Sequence, residues 1–522
     1  MNAKMKSVDA STPLNKSVKR VEAAIVGAGF GGLCMAIKLQ EAGITDFVIL
    51  EKGSDVGGTW RDNTYPGAAC DVQSHMYSFS FEGNPDWSKR YPGWKEIQDY
   101  IHSTTEKYGI RRYVQYNTEV TGAQFNERSG RWLVTLGDGS QLNAKHFILA
   151  TGPLHVPSIP NLPGLNGFKG RTFHSAQWDH DYDLKGKNVV SIGTGGSAIQ
   201  YLPEIAPDVK NLSVFQRSPA WVLPRDMRSY SDFDKKLFKA FPLMRKLHRL
   251  RLYATNESRV LPIIHARLAQ SFQFLAKAFL DYQVRDKKLR RQLTPDYTIG
   301  CKRILISNKY FPMFSRDNVD LITDGIKEIR ENSVVDSNGV EHPADAIIFG
   351  TGFVTDPRVY MKNFTLTGLP GHDIHQDWKE GAEAYYGISV SGYPNMFQLV
   401  GPNTGLGHNS IIFMIEKQVE YIVKCMTTME EKGAGYMDLK ASVQKTFNDE
   451  IQQRQVGTVW ASGCKSWYQQ ADGRNVVIWP GTTLRYQHEL KNVDFNGYDW
   501  VRVGNDAMAD VPVNHLTKSQ MA

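Results

Sequence analysis

None of the five cysteines in this 522-residue chain (Cys34, Cys70, Cys301, Cys425, Cys464) forms a CxxC pair, and their number is odd. That argues against a disulfide framework and a zinc site, and it favours a reducing, cytoplasmic compartment. No apolar run approaches the roughly 20 residues that cross a bilayer. The first twenty residues are polar and lysine-bearing, without the apolar centre of a secretory signal, so 1–20 reads as a disordered lead-in. Low-complexity tracts are missing, and no metal site is expected. Glycine is absent from 232–292, a stretch with fifteen Lys/Arg against five Asp/Glu. The chain's net charge is +7, so the remainder is net −3. This stretch reads as inserted helices with a solvated basic face. Contact with a membrane surface is the less favoured reading, and no nucleic-acid motif accompanies the charge.

What is present is a soluble globular composition, 41% hydrophobic and 22% charged, in a chain long enough for two to four domains. Two glycine fingerprints stand out. In the first, an apolar strand leads to Gly27-Ala-Gly29-Phe-Gly-Gly32, then a helical pattern and a second apolar run ending at Glu51. In the second, Val189–Ile192 leads to Gly193-Thr-Gly195-Gly-Ser197-Ala198, then Leu212–Phe215 and Arg217. This is the strand, turn, helix, strand order that sets a pyrophosphate on a helix N-terminus. The residue 24 positions after each first glycine differs in sign. A carboxylate at Glu51 accepts from a ribose diol, whereas Arg217 pairs with a 2′-phosphate. One site suits FAD and the other NADPH.

Two apolar strands that end in glycine turns, at Gly152 and Gly352, mark where the chain leaves one sheet for a neighbouring segment. The expected organisation is an α/β protein with two Rossmann-like domains, the NADPH domain inserted into the FAD domain. The FAD domain takes 21–155 and 351–522, and the NADPH domain takes 156–350 with its helical insertion at 232–292. The Pro/Gly-rich stretch 157–170 is the expected hinge.

Three blocks carry a family resemblance. Phe168-Lys-Gly170-Arg-Thr-Phe-His174-Ser-Ala-Gln-Trp178-Asp179 matches the Baeyer–Villiger monooxygenase fingerprint at each fixed position. Gly57-Gly58-Thr59-Trp60 through Tyr65-Pro-Gly67 to Asp71 is similar to the second signature of the type I enzymes, and Thr294 to Asn308 carries Lys302-Arg303. The chain thus resembles the type I Baeyer–Villiger monooxygenases, in their flavin-monooxygenase-like subgroup. The resemblance implies NADPH- and dioxygen-dependent insertion of oxygen beside a ketone carbonyl, through a flavin peroxide, giving an ester or lactone. It makes Arg303 the active-site cation, with Asp71 orienting it, and gives Lys302, with Arg217 and Ser218, to NADPH. Gly58, Thr59, Trp60, Asp71, Tyr77, Asn409 and Trp467 are implied cofactor contacts, and Gln200 is read as ordinary helix surface. The partners are a small ketone, open-chain or small cyclic by default, and dioxygen. The alternative is a flavin monooxygenase that oxidises nitrogen or sulfur, which needs no cation to hold a developing oxyanion.

Overall fold

The computed structural model describes residues 18–503 apart from 462, 464, 465 and 471. The first strand starts at Lys19, two residues inside the expected lead-in, whose residues 1–17 lie outside the described ones.

The chain opens with β1 (Lys19–Val26), passes through the glycine turn into α1 (Phe30–Glu41) and continues into β2 (Phe47–Leu50). β1 is central, parallel to β2 on one side and to β3 (Gln141–Leu149) on the other, with Val26 opposite both Leu50 and Leu149. Helices and loops cover both faces, which is why these strands read as apolar runs rather than alternating patterns. β3 pairs antiparallel with Arg131–Leu136 along its first half and parallel with Met396–Gln398 along its last.

The chain then crosses to a second, all-parallel sheet. Val156–Ser158 runs antiparallel to Gly352–Val354, with Ser158 N–H on Gly352 O at 2.9 Å and Val354 N–H on Val156 O at 2.9 Å. The expected hinge is thus a two-stranded crossing, and Pro163 is tied to the second domain by Ile329 N–H at 2.7 Å. The second sheet contains β4 (Arg171–His174), β5 (Asn188–Ile192), followed by α2 (Ala198–Ile205), then β6 (Asn211–Phe215). The helical excursion follows, with α3 (Pro242–Ser258) at its heart, and β7 (Ala346–Phe349) closes the domain. The strand order is Val319–Ile322, β6, β5, β7, β4. Beyond the crossing, α4 (Ile411–Lys432) packs on α1, and α5 (Thr483–Leu490) packs on α4. The first sheet therefore takes strands from both sides of the second, as an inserted domain requires.

The excursion is helical as expected, but its polarity is not a simple solvated basic face. On α3 the buried positions include Asn256 and Glu257 beside Leu252, while Leu243, Leu247 and Leu250 are exposed. Cysteine counting also fell short. Cys34, Cys70 and Cys425 are free and buried, but Cys301 is disulfide-bonded; an odd count argues against a framework and does not forbid one bridge.

Candidate active site

The three glycines of the first turn have separate reasons to be glycine. Gly27 has φ +104°, and a Cβ there would lie 2.7 Å from Ala150 O at the end of β3. A Cβ on Gly32 would lie 1.9 Å from Gly27 O, so α1 packs against the turn only without one. At Gly29 the nearest atom to such a Cβ is 3.9 Å away, leaving open space for a diphosphate at the α1 N-terminus. Glu51 is buried at the end of β2. Its Oε2 accepts from Ala28 N–H at 2.8 Å, and Oε1 accepts from Gly53 N–H at 2.7 Å and from Arg61 Nη1 at 2.8 Å. Oε2 keeps a free lone pair for a ribose hydroxyl.

A cavity of about 990 Å³ extends from this turn. Of the expected cofactor contacts, Gly27, Gly29, Glu51, Gly58, Thr59, Trp60, Tyr77 and Trp467 line it, and so does Arg303. Trp60 donates Nε1–H to the Tyr77 hydroxyl at 3.1 Å, which fixes both rings in the wall. Arg303 sits just before the short strand Leu305–Ile306 and grips Asp71 through Nε at 3.0 Å and Nη2 at 2.6 and 2.8 Å. Arg303 is deep within the fold, yet 43% of its side chain stays accessible, because it faces the cavity. Asp71 raises its pKa further, so the group is cationic throughout the working pH range.

Arg217, Ser218 and Lys302 meet at the second nucleotide turn. Lys302 Nζ donates to Ser218 Oγ at 3.3 Å and lies 4.5 Å above the Tyr297 ring. Burial and then the nearby Arg217 push the Lys302 pKa down. Two cations repelling each other at the end of β6 form a ready anion site. Gly193, Gly195 and Ser197 form the turn that enters α2, with Ala198 in the third glycine position. The Phe168–Asp179 block forms β4, the edge strand of the second sheet, and its continuation. There His174 is buried, with Nδ1 accepting from Ala176 N–H at 3.1 Å. Its ring meets Phe353 on the domain crossing at 5.7 Å. Trp178 packs on Phe173 and Tyr201, Arg171 bonds Asp179 at 2.5 Å, and Phe168 packs beside Gly170. This block belongs to the domain junction and does not line the cavity.

The model of the family described as flavin-binding monooxygenase-like matches residues 18–361. The chain belongs to the flavin-binding monooxygenase-like family. It is 44% identical to a Baeyer-Villiger monooxygenase of Pseudomonas aeruginosa, covering 93% of this chain and 92% of that one. It is 42% identical to a Baeyer-Villiger monooxygenase of Streptomyces coelicolor, with 93% of each covered. Among solved structures, a steroid monooxygenase bound to NADP superposes with TM-score 0.84 at 28% identity, covering 93% of this chain and all of that one. Cyclohexanone monooxygenase from Rhodococcus sp. Phi1 gives 0.83 at 26%, with the same coverage. Like these relatives, this family member is a flavin- and NADPH-dependent monooxygenase of the Baeyer–Villiger type.

The donor set fits both cofactors of the family. Open backbone at Gly29, the free lone pair of Glu51 and the long cavity suit FAD; the Arg217–Lys302 pair suits a 2′-phosphate. Two expectations change. Gln200 is not free helix surface: it accepts from Tyr65 OH at 2.9 Å and exchanges bonds with Ala69 N–H and O at 3.2 and 3.0 Å. It thereby docks α2 of the second domain on the loop that carries Asp71. Asn409 does not line the cavity, and its amide donates to buried Glu257 at 2.8 Å. Arg61, paired with Glu51 and lining the cavity, was not singled out from sequence, although it directly follows Trp60.

Proposed function

We propose that Arg303 and Asp71 form the centre at which this enzyme inserts oxygen next to the carbonyl of a small ketone. The chemistry FAD supplies when bound is activation of dioxygen with electrons delivered from NADPH. Glu51 and the first glycine turn would hold its ribose and diphosphate, and Trp60 and Tyr77 would wall it. Arg217, Ser218 and Lys302 would grip the NADPH 2′-phosphate. As oxygen insertion proceeds, negative charge develops at the carbonyl oxygen, and a fixed cation in a water-poor site stabilises it without reorganising. Arginine suits this task because it never loses its proton, and Asp71 orients its fork through two nitrogens. The carrying observation is the Arg303–Asp71 contact on the wall of the same cavity that Glu51 lines.

Leu406, Ile411, Ile415, Val477 and Ile478 make that wall largely apolar, in keeping with an aliphatic ketone, open-chain or small cyclic, as substrate. The reaction would run in the cytoplasm, where NADPH is plentiful; no described helix is long and apolar enough to cross a membrane. The test is NADPH consumption with linear, cyclic and aryl ketones, with products identified by mass, in the wild type and in Arg303→Ala. The variant should still let NADPH bleach the flavin while ester formation falls on the order of 10²–10³-fold. Unchanged ketone turnover in Arg303→Ala would overturn the assignment.

A further inference from the structure

The loop that carries Asp71 is fixed by side chains from outside its own domain. Helix α3, part of the excursion from the second sheet, sends Arg249 onto it, donating to His75 O, and to Ser78 O at 3.1 Å. Two helical turns further, Asn256 exchanges two amide hydrogen bonds with Gln73, at 2.8 and 3.1 Å, and both side chains are buried. The next residue, Glu257, faces the other wall of the cavity. Its Oε1 accepts from Thr483 N–H at 2.6 Å, and its Oε2 accepts from Thr483 Oγ1 at 2.7 Å and Asn409 Nδ2 at 2.8 Å, with His408 Nε2 3.5 Å away. Asn409 and Ser410 lead into α4, whose first residue Ile411 lines the cavity with Leu406. Positions 249, 256 and 257 share one face of α3 by helical spacing with Leu252 and Tyr253, so polar side chains occupy part of a face that is ordinarily apolar in a core-facing helix.

Asn256, Gln73 and Glu257 are paired in place, and displacing any of them leaves a buried group unpaired. We propose that α3 is a positioning brace: through Asn256 it sets the Asp71 loop, and through Glu257 the 405–411 wall, so that the two sides of the oxygen-insertion cavity keep a fixed separation. Glu257 and Asn256 do not line the cavity and act through Asn409, Thr483 and Gln73. This inference rests on the assignment of Arg303 and Asp71 given above.

Glu257→Gln places an amide N–H₂ among donors, which displaces Thr483 or Asn409 at nearly constant volume. The paired variant Gln73→Met/Asn256→Leu removes both members of the amide pair, leaving no buried polar partner, and serves if the first variant fails to fold. Both are prepared as holoenzyme and read by visible circular dichroism of the bound flavin, by the rate at which NADPH bleaches it anaerobically, and by ester formed per NADPH consumed. The expected result is an altered flavin dichroism and a three- to tenfold fall in ester per NADPH, with bleaching within twofold of wild type. A folded variant of either kind with wild-type dichroism and wild-type ester yield overturns the brace. Equal losses in bleaching and ester yield overturn it as well, since they mark general damage. If Arg303→Ala keeps ketone turnover, the underlying assignment has failed. If Arg303→Ala is inactive while both brace variants behave as wild type, only the brace has failed.

Discussion

Asp71→Asn isolates what the carboxylate does for Arg303. The substitution keeps the side chain's shape, removes its charge, and turns one acceptor into a donor facing a guanidinium that now reaches Asp71 at 2.6–3.0 Å. An exposed ion pair contributes about 0.2–1 kcal/mol. Removing one partner of a fully buried pair costs about 3–5 kcal/mol. With 43% of Arg303 and 32% of Asp71 still accessible, this pair lies between those limits, and water in the open cavity screens it. Nucleotide in the cavity expels that water and moves the pair toward the buried limit, so a loss of about 1.5–3 kcal/mol is expected in the working enzyme. At about 1.4 kcal/mol per factor of ten, that is roughly a ten- to hundredfold fall in ester formation. Stopped-flow bleaching by NADPH without oxygen, set against aerobic ester and hydrogen peroxide yields, separates the steps. Bleaching should stay within about threefold while peroxide replaces ester. A variant that keeps its ester yield would refute the reasoning, and so would one that loses both steps equally.

Other perturbations read different parts of the site. Arg217→Gln and Lys302→Met should each raise the KM for NADPH by roughly ten- to hundredfold, since a hydrogen bond to a charged group contributes about 1.5–3 kcal/mol; the KM for NADH should hardly change, which steady-state kinetics with both nucleotides checks. Gly32→Ala, whose Cβ would lie 1.9 Å from Gly27 O, should fail to fold, whereas Gly29→Ala should fold and lose FAD affinity, as flavin titration followed by fluorescence would reveal. Burial, then the neighbouring His248 and Arg245, depress the His75 pKa from 6.5 to about 3. A depressed histidine is protonated in the unfolded chain first, so its neutral state favours folding above pH 6.5 and stability falls as pH drops from 6.5 toward 3. His75→Phe should therefore reduce the acid-side slope of unfolding free energy by about one proton, about 1.4 kcal/mol per pH unit, measured by urea unfolding between pH 4 and 6.5.

The nucleotide sheets were legible because their signals are local. Gly27, Gly32 and Glu51 lie within one strand-turn-helix-strand unit, and the same spacing recurs from Gly193 to Arg217, so composition and order alone locate both turns. What escaped the sequence is long-range and polar. Gln200 reads as a solvated helix residue until Tyr65 and Ala69, some 130 positions away, are folded against it. Glu257 sits in a basic stretch that averages to a charged surface, and only folding aims it inward at Thr483, 226 residues on. The resemblance named Asn409 as a cofactor contact, yet its amide meets that same carboxylate. A short-range pattern cannot distinguish a polar side chain facing a ligand from one facing a partner distant in the chain.

The proposed centre is assembled across the two domains. Asp71 lies in a loop of the first, 232 residues from Arg303 in the second, and that loop is docked on α2 through Gln200. The guanidinium therefore takes its orientation from the interface and not from either sheet alone. Hydride delivery requires the nicotinamide and the flavin, held on separate domains, to approach, so any change in domain angle acts first on the Arg303–Asp71 fork and the Gln200 contacts beside it. A bidentate pair tolerates little rotation before one of its bonds is lost. A rotation between the domains would therefore cost the guanidinium its orientation, which ties the proposed role of Arg303 to the contact between the domains.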